Sequence, residues 1–249
     1  MAINFKTVPT GVPVTDERVN TLSSTAAELA TAFGRKLDKL LSLIGEARQK
    51  FSEEAEEMVK GSPIESRATA RQLAKKTLAN KAAKMHRELV DSSAAERRTM
   101  LERLKQYAKE AQALADVLNS PVTLLIRIGQ GEPRKTQLML QLSEAGPTEL
   151  EAAARTAIMG GDIVLASAVA TVVDRLPRDR RPFSVADFAS RVIGLQYEQL
   201  STKLEAVMTA SVNSEAANRE FQRNQANPVT SVARALRNKQ LAEAWGDDG

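Results

Sequence analysis

Cysteine is missing from this 249-residue chain, and histidine occurs once. The first absence excludes disulfides, thiolate metal sites and a cysteine nucleophile, and it fits a reducing compartment. The second excludes a metal site made from several histidines of one chain. Aromatic residues are scarce, at 4%. A large core must therefore be assembled from Leu, Val, Ile and Ala, which favours close contact between long helices over a thick globule. Long hydrophobic runs are absent too, since none approaches the ~20 apolar residues that span a bilayer. The opening stretch MAINFKTVPTGVPVT has no apolar segment of the signal-peptide kind, so the expected place of synthesis is the cytoplasm. Finally, neither charge dominates. The 35 basic and 31 acidic residues leave a net charge of +4, short of the dense surplus of a dedicated nucleic-acid binder.

The chain is long enough to bury a core, as one large domain or two small ones. Residues 1–14 read as an extended arm, because Pro9, Gly11 and Pro13 forbid a helix. Its apolar residues, Ile3 and Phe5 among them, are candidate docking anchors on a neighbouring subunit; the competing reading is a frayed terminus. The strongest signal follows. Val19, Leu22, Ala26, Leu29, Phe33, Leu37, Leu40, Ile44, Ala47, Phe51, Ala55 and Met58 step by threes and fours, which places one apolar seam along one helix. Thr15 or Asp16 caps its start, and Gly61 ends it. At ~1.5 Å per residue such a helix is near 70 Å long, so either Gly34 or Gly45 breaks it or the protein is elongated. The seam leaves open whether its partner helix belongs to the same chain.

Ser62-Pro63-Ile64-Glu65 reads as a capped helix start, and Ser93-Ala94-Ala95-Glu96 repeats the pattern. Ile64, Ala68, Leu73, Leu78, Ala82, Met85 and Leu89 give the second helix its apolar side. Leu101, Leu104, Ala108, Ala111, Ala115 and Leu118 form a further seam. Glu53, Glu54, Glu56 and Glu57 crowd the end of helix one, where the dipole disfavours them. An antiparallel turn at Gly61 sets them against Arg67, Arg71 and Lys75, so residues 15–119 are expected to form a hairpin of long helices. Residues 120–177 read as a compact subdomain of short helices at 134–145, 147–159 and 162–176. Residues 122–128 are open between strand and helix, with Ser120-Pro121 favouring helix. Arg178-Asp-Arg-Arg-Pro182 is a basic linker. Val185, Phe188, Val192, Leu195, Leu200, Leu204 and Val207 line a helix within the C-terminal region, 183–245, whose last helix covers 229–245 before an acidic tail at 246–249. The expected fold is all-α: an elongated bundle of long antiparallel helices with a compact central subdomain.

No phosphate loop, dinucleotide fingerprint or GxSxG elbow is present. Gly160-Gly161 before Asp162 either bares helix amides to an anion or turns one helix into the next, and the turn is the better reading. His86, among Lys84, Arg87 and Glu88, reads as a solvated surface residue. Glu53 to Glu57 read as a solvated acidic face. Arg67, Arg71, Lys75, Lys81, Lys84 and Arg87, with Lys76, form a basic face that can meet nucleic-acid phosphates, but without interleaved aromatics for base stacking. Arg178, Arg180 and Arg181 are a second such group. Trp245, the lone Trp, is a further candidate anchor. No cofactor and no small-molecule substrate is expected.

In its apolar arm, its Ala/Leu seams without Cys, its polar tail, and the stretch from Glu149-Leu-Glu-Ala-Ala-Ala-Arg to Gly161-Asp-Ile-Val-Leu-Ala-Ser-Ala-Val169, the chain resembles helical structural and assembly proteins of tailed bacteriophages. The resemblance implies a scaffold, internal virion or DNA-ejection component that works as many copies and is packaged into a virion. Its partners would then be copies of itself and other structural proteins. The alternatives are a nucleic-acid-associated protein using the basic face at 67–87, and a helical adaptor whose seam around Leu37–Ile44 meets a membrane or a partner helix.

Overall fold

The computed structural model describes residues 16–223. Every regular element among them is a helix, so the all-α expectation holds. In chain order the α-helices are α1 (Asp16–Lys60), α2 (Arg67–Ser92), α3 (Ala94–Val117), α4 (Pro121–Arg127), α5 (Pro133–Ser143), α6 (Pro147–Gly160), α7 (Ile163–Arg175) and α8 (Val185–Gln222), with 3-10 turns at Ile64–Ser66 and Arg178–Arg180. The expected arm, the helix at 229–245 and the acidic tail lie outside the described residues, and so do Ile3, Phe5 and Trp245.

Helix α1 runs unbroken for 45 residues, with Asp16 and Glu17 in its positive first turn. Neither Gly34 nor Gly45 interrupts it. At its end the Gly61 amide bonds to the Glu57 carbonyl at 3.0 Å. Both expected capping boxes give way to other arrangements. The Ser62 hydroxyl turns back to the Met58 carbonyl at 2.9 Å, residues 64–66 make a 3-10 turn, and α2 begins only at Arg67. Ser93 sits between two helices whose hydrogen bonding hardly stops. Its amide reaches Leu89 O, and Arg97 N reaches Ser93 O, so its hydroxyl has no run of orphan amides to cap. Residues 121–127 are helical, begun by Ser120, which accepts from the Thr123 amide at 3.2 Å.

The described residues pack as two compact units, one of 16–21 with 110–205 and one of 22–109 with 206–223. In the first, α7 is the hub against which α4, α5 and α6 pack. Ala166 through Val173 are all buried in unbroken succession, as expected of a helix apolar on every side. The three alanines Ala166, Ala168 and Ala170 let neighbours approach closely. The opening half of α8 adds Val185, Phe188, Leu200 and Leu204, the last turns of α3 add Ala111 and Leu114, and Leu118 follows just past the end of α3. Asp16 pairs with Gln196 at 2.6 Å and Asn20 with Lys203 at 3.1 Å, so α1 and α8 run in the same direction here. Ile193 (φ −133°, ψ 15°) kinks α8.

The second unit is a bundle of three rods, namely α1, the nearly continuous pair α2 and α3, and the end of α8. Phe33, Leu37 and Ile44 of α1 meet Ala217 and Phe221 of α8, with Leu40, Leu89, Val90, Met100 and Leu101 packed around them. Lys36–Glu96 and Lys81–Glu54 pair α1 antiparallel with α3 and α2. Lys105–Glu215, at 2.8 Å, ties α3 to α8. The glutamate cluster therefore meets Lys81, which also lies 5.2 Å from the Phe51 ring centre, rather than Arg67, Arg71 and Lys75. Residues 61–66 are spent on the turn, so those three lie nearer the hairpin tip. Most seam residues are covered within the chain. Val19, Leu22, Phe33, Leu37, Ile44 and Leu104 are buried, while Leu29, Leu40, Phe51 and Leu101 are half-buried. Ile64 (79% exposed), Leu73 (59%) and Leu195 (79%), expected on apolar sides, lie open.

A methyl group at Gly34 or Gly45 would meet nothing within 4 Å. Gly34→Ala and Gly45→Ala should each raise stability by about 0.5–1 kcal/mol by lowering the entropy of the unfolded chain. Urea denaturation checks this; a loss at either position would mean that α1 does not hold its helical form there.

Candidate functional site

The most elaborate polar arrangement lies inside the three-helix unit. Arg97 is 1% exposed. Its guanidinium donates to Ser93 Oγ at 3.0 Å, to Asn218 Oδ1 and to the Val90 carbonyl at 2.7 Å. It lies 5.0 Å from the centre of the Phe221 ring. All its oxygen acceptors are neutral, so this is a buried charge held by dipoles and a π face. Burial lowers its pKa, yet an arginine stays charged. His86 is buried beside it, with Nε2 2.7 Å from the Phe221 carbonyl and its ring 5.6 Å from that of Phe221. The expectation of a solvated histidine is thus wrong. His86 stands one turn after Ala82 and three before Leu89, on the side of α2 that faces the bundle, and not with its charged sequence neighbours. The sequence carried the same signal for Arg97, which heads the stripe Leu101, Leu104 and Ala108. The centre links α2, α3 and α8 at the end of α8, and its chemistry is that of a structural clamp.

Two other cations serve helix ends. Lys135, also buried, donates to the carbonyls of Ile126 and Ile128 at the close of α4, and Ser167 of α7 adds a bond to Ile128 O at 2.8 Å. Burial, then the charge of Arg175, lowers the Lys135 pKa. Gly129 (φ +66°) makes the turn between them, and a Cβ there would crowd Glu132 at 3.0 Å. Arg181, part of the basic linker that the sequence offers as an alternative phosphate contact, donates to the Leu176 and Asp174 carbonyls and pairs with the Asp174 carboxylate at 3.2 Å. It closes the C-terminus of α7.

The surface of the first unit has a different feature. At the corner between α6 and α7, Ile158, Met159 (89% exposed) and Ile163 are open to solvent. Gly161 takes the left-handed conformation (φ +61°) that ends α6. Asp162 then caps α7, accepting from the Leu165 amide at 3.1 Å and pairing with Arg134. The Leu165 bond, foremost, holds the Asp162 carboxyl below its ordinary pKa. The Gly160-Gly161 pair is therefore the turn expected, with Asp162 occupying the α7 amides. Rigid caps on both helices hold the apolar corner out. Nearby in sequence order, two open hollows flank the start of α8: one of about 300 Å³ lined by Glu151, Arg155, Phe183 and Asp187 among others, the second of about 480 Å³ lined by Asp174, Arg178 and Arg181 among others. Both mix opposite charges.

The basic residues at 67–87 all lie exposed on α2. Several already have protein partners. Arg67 bonds Ser62 O at 3.3 Å, Lys81 pairs with Glu54 at 2.6 Å, Lys84 faces Glu88 at 3.9 Å, and Arg87 bonds Ala83 O at 3.3 Å. Among the described residues no group of acids and histidines is placed to hold a metal ion, and no helix is long and apolar enough to cross a membrane.

Arg97→Ala should cost about 2–4 kcal/mol, because it opens a cavity and strands Ser93 and Asn218. Arg97→Met, which keeps the apolar stem, should cost less than half as much; equal losses would show that the charge itself is needed. Asp162→Ala should cost about 1 kcal/mol near neutral pH. Because the folded carboxyl has a lowered pKa, its stabilisation is complete above the ordinary Asp range and fades as pH falls through the folded value. Variant and parent melting temperatures should therefore converge in acid, and a gap that stays constant with pH would contradict the cap.

No protein-family model, curated protein or solved structure matches the chain.

Proposed function

We propose that this chain is a non-enzymatic structural and assembly protein that works as several copies through helix contacts, of the kind its resemblance to tailed-bacteriophage proteins implies: an internal, ejection or scaffold-like component of a virion. The observation that carries the reading is the α6–α7 corner. Three large apolar side chains stand exposed within six residues on a turn braced by Gly161 and Asp162. Such a rigid apolar knob loses little entropy when it docks, and apolar side chains on a pre-organised turn suit a subunit contact. The long seams are covered within the chain, so contacts between copies fall to features of this kind.

A second reading keeps some support. Arg67, Arg71, Lys75, Lys76, Lys81, Lys84 and Arg87 are all exposed along one helix, and cations so arranged can follow a phosphate backbone, with binding that weakens steeply with salt. It is the weaker reading, since Lys81 and Lys84 already face glutamates.

Light scattering over a range of concentrations tests the proposal. The parent chain should be multimeric and Met159→Asp should shift it toward monomer, with unchanged helicity. A chain that is monomeric throughout, or a multimer indifferent to Met159→Asp, would overturn it.

A further inference from the structure

In the three-helix unit, α8 stops before the other two helices do. Along α8 the partners on α3 and α2 descend from Lys105, met by Glu215, to Arg97, met by Asn218, to His86, met by Phe221. Its direction is therefore toward the α1–α2 turn. Burial ends where α8 ends. Ala47 is the last buried residue of α1, and between Arg67 and Met85 only Ala74 of α2 is buried. Among the described residues the bundle beyond Gln222 consists of α1 and α2 alone, and no third helix covers α1 from Ala47 to Lys60, a run of about 20 Å at 1.5 Å per residue. Met58 (49% exposed), Leu73 and Ile64 lie open there.

We propose that this position is filled by the chain's own segment 229–245. Three features argue for it. The first is reach: residues 224–228 are a short link from the end of α8, and the expected helix at 229–245 is about 25 Å long, matching the uncovered run. Next comes apolar content. Val229, Val232 and Leu236 share one side of that helix, and Leu241 and Trp245 form a further pair one turn apart. The last is charge. Arg234, Arg237 and Lys239 bring three cations to the exposed Glu53, Glu54, Glu56 and Glu57, which sit where the α1 dipole disfavours them. The segment continues α8 in the same direction as α1. It thereby completes the third helix over the outer hairpin, and Asn227-Pro228 marks the joint.

The cysteine-free chain allows a direct test. Met58→Cys with Leu236→Cys, in the full chain, is treated with a short bismaleimide. Linking within one chain should be about a hundredfold faster than linking between chains at micromolar concentration, and should not change on dilution. Val212→Cys with Leu236→Cys, a pair in which Val212 lies on an exposed side of α8 well before its end, should link far more slowly. Circular dichroism matched to the parent shows that each variant is folded. Leu73→Asp, at an exposed site, should slow the first reaction at least several-fold and make Trp245 fluorescence more open to acrylamide. Products that join two differently tagged chains would assign the face to a second copy. Equal rates for the two cysteine pairs would assign it to no fixed part of this segment. Either result overturns the proposal, which stands apart from the α6–α7 corner.

Discussion

An apolar seam on a helix is stable in water only when another helix covers it, and this chain is arranged around that constraint. With few aromatics, burial has to come from many small contacts among Leu, Val, Ile and Ala. The seam of α1 finds its cover at Phe33, Leu37 and Ile44, against residues almost the whole chain away at Ala217 and Phe221. The hub α7 takes the same constraint to its limit, with eight buried residues in succession from Ala166 to Val173. Alanine is what permits this, because a bulkier residue at each turn would hold the surrounding helices apart.

Closing seams with short elements creates many helix ends, each with orphan carbonyls. Cations resolve much of this. Lys135 gathers the last carbonyls of α4, and Arg181 gathers those of α7. Arg97 does related work at the junction of α2 and α3 by reaching the Val90 carbonyl. A bundle of smooth apolar stripes can slide in register, whereas a buried guanidinium with fixed acceptors fits one alignment only. The Arg97 centre thus fixes the point at which α2, α3 and α8 meet.

Periodicity in the sequence made the helices legible. The threes and fours of α1, the Pro and Gly punctuation around α5 and α6, and Ser120 and Asp162 as caps all carried through, because each depends on local stereochemistry alone. What stayed hidden depended on partners distant in the chain. The charged sequence neighbours of His86 point to solvent, but its side of α2 faces the bundle. Arg97 stands in line with an apolar stripe, and its charge masks that placement. The opposite error befell Leu73, Ile64 and Leu195, whose spacing was right but which lie exposed. The basic residues at 67–87 are exposed, yet no count of charges reveals that Lys81 reaches Glu54. The corner at Met159 had no periodic signal, since it arises from two helices meeting at a turn.

The constraint also orders what the surface can do. With seams closed inside the chain, the apolar groups left over are few and local, and they bear the burden of contact with other molecules. The rest depends on the seams closing within a single copy. Native-state hydrogen exchange on the chain, diluted until scattering reports one copy, tests this most directly. The amides around Phe33 and Leu37 should exchange as slowly as those of Ala168 and Val169. Amides in α1 that exchange near the free-peptide rate until the concentration is raised would contradict it.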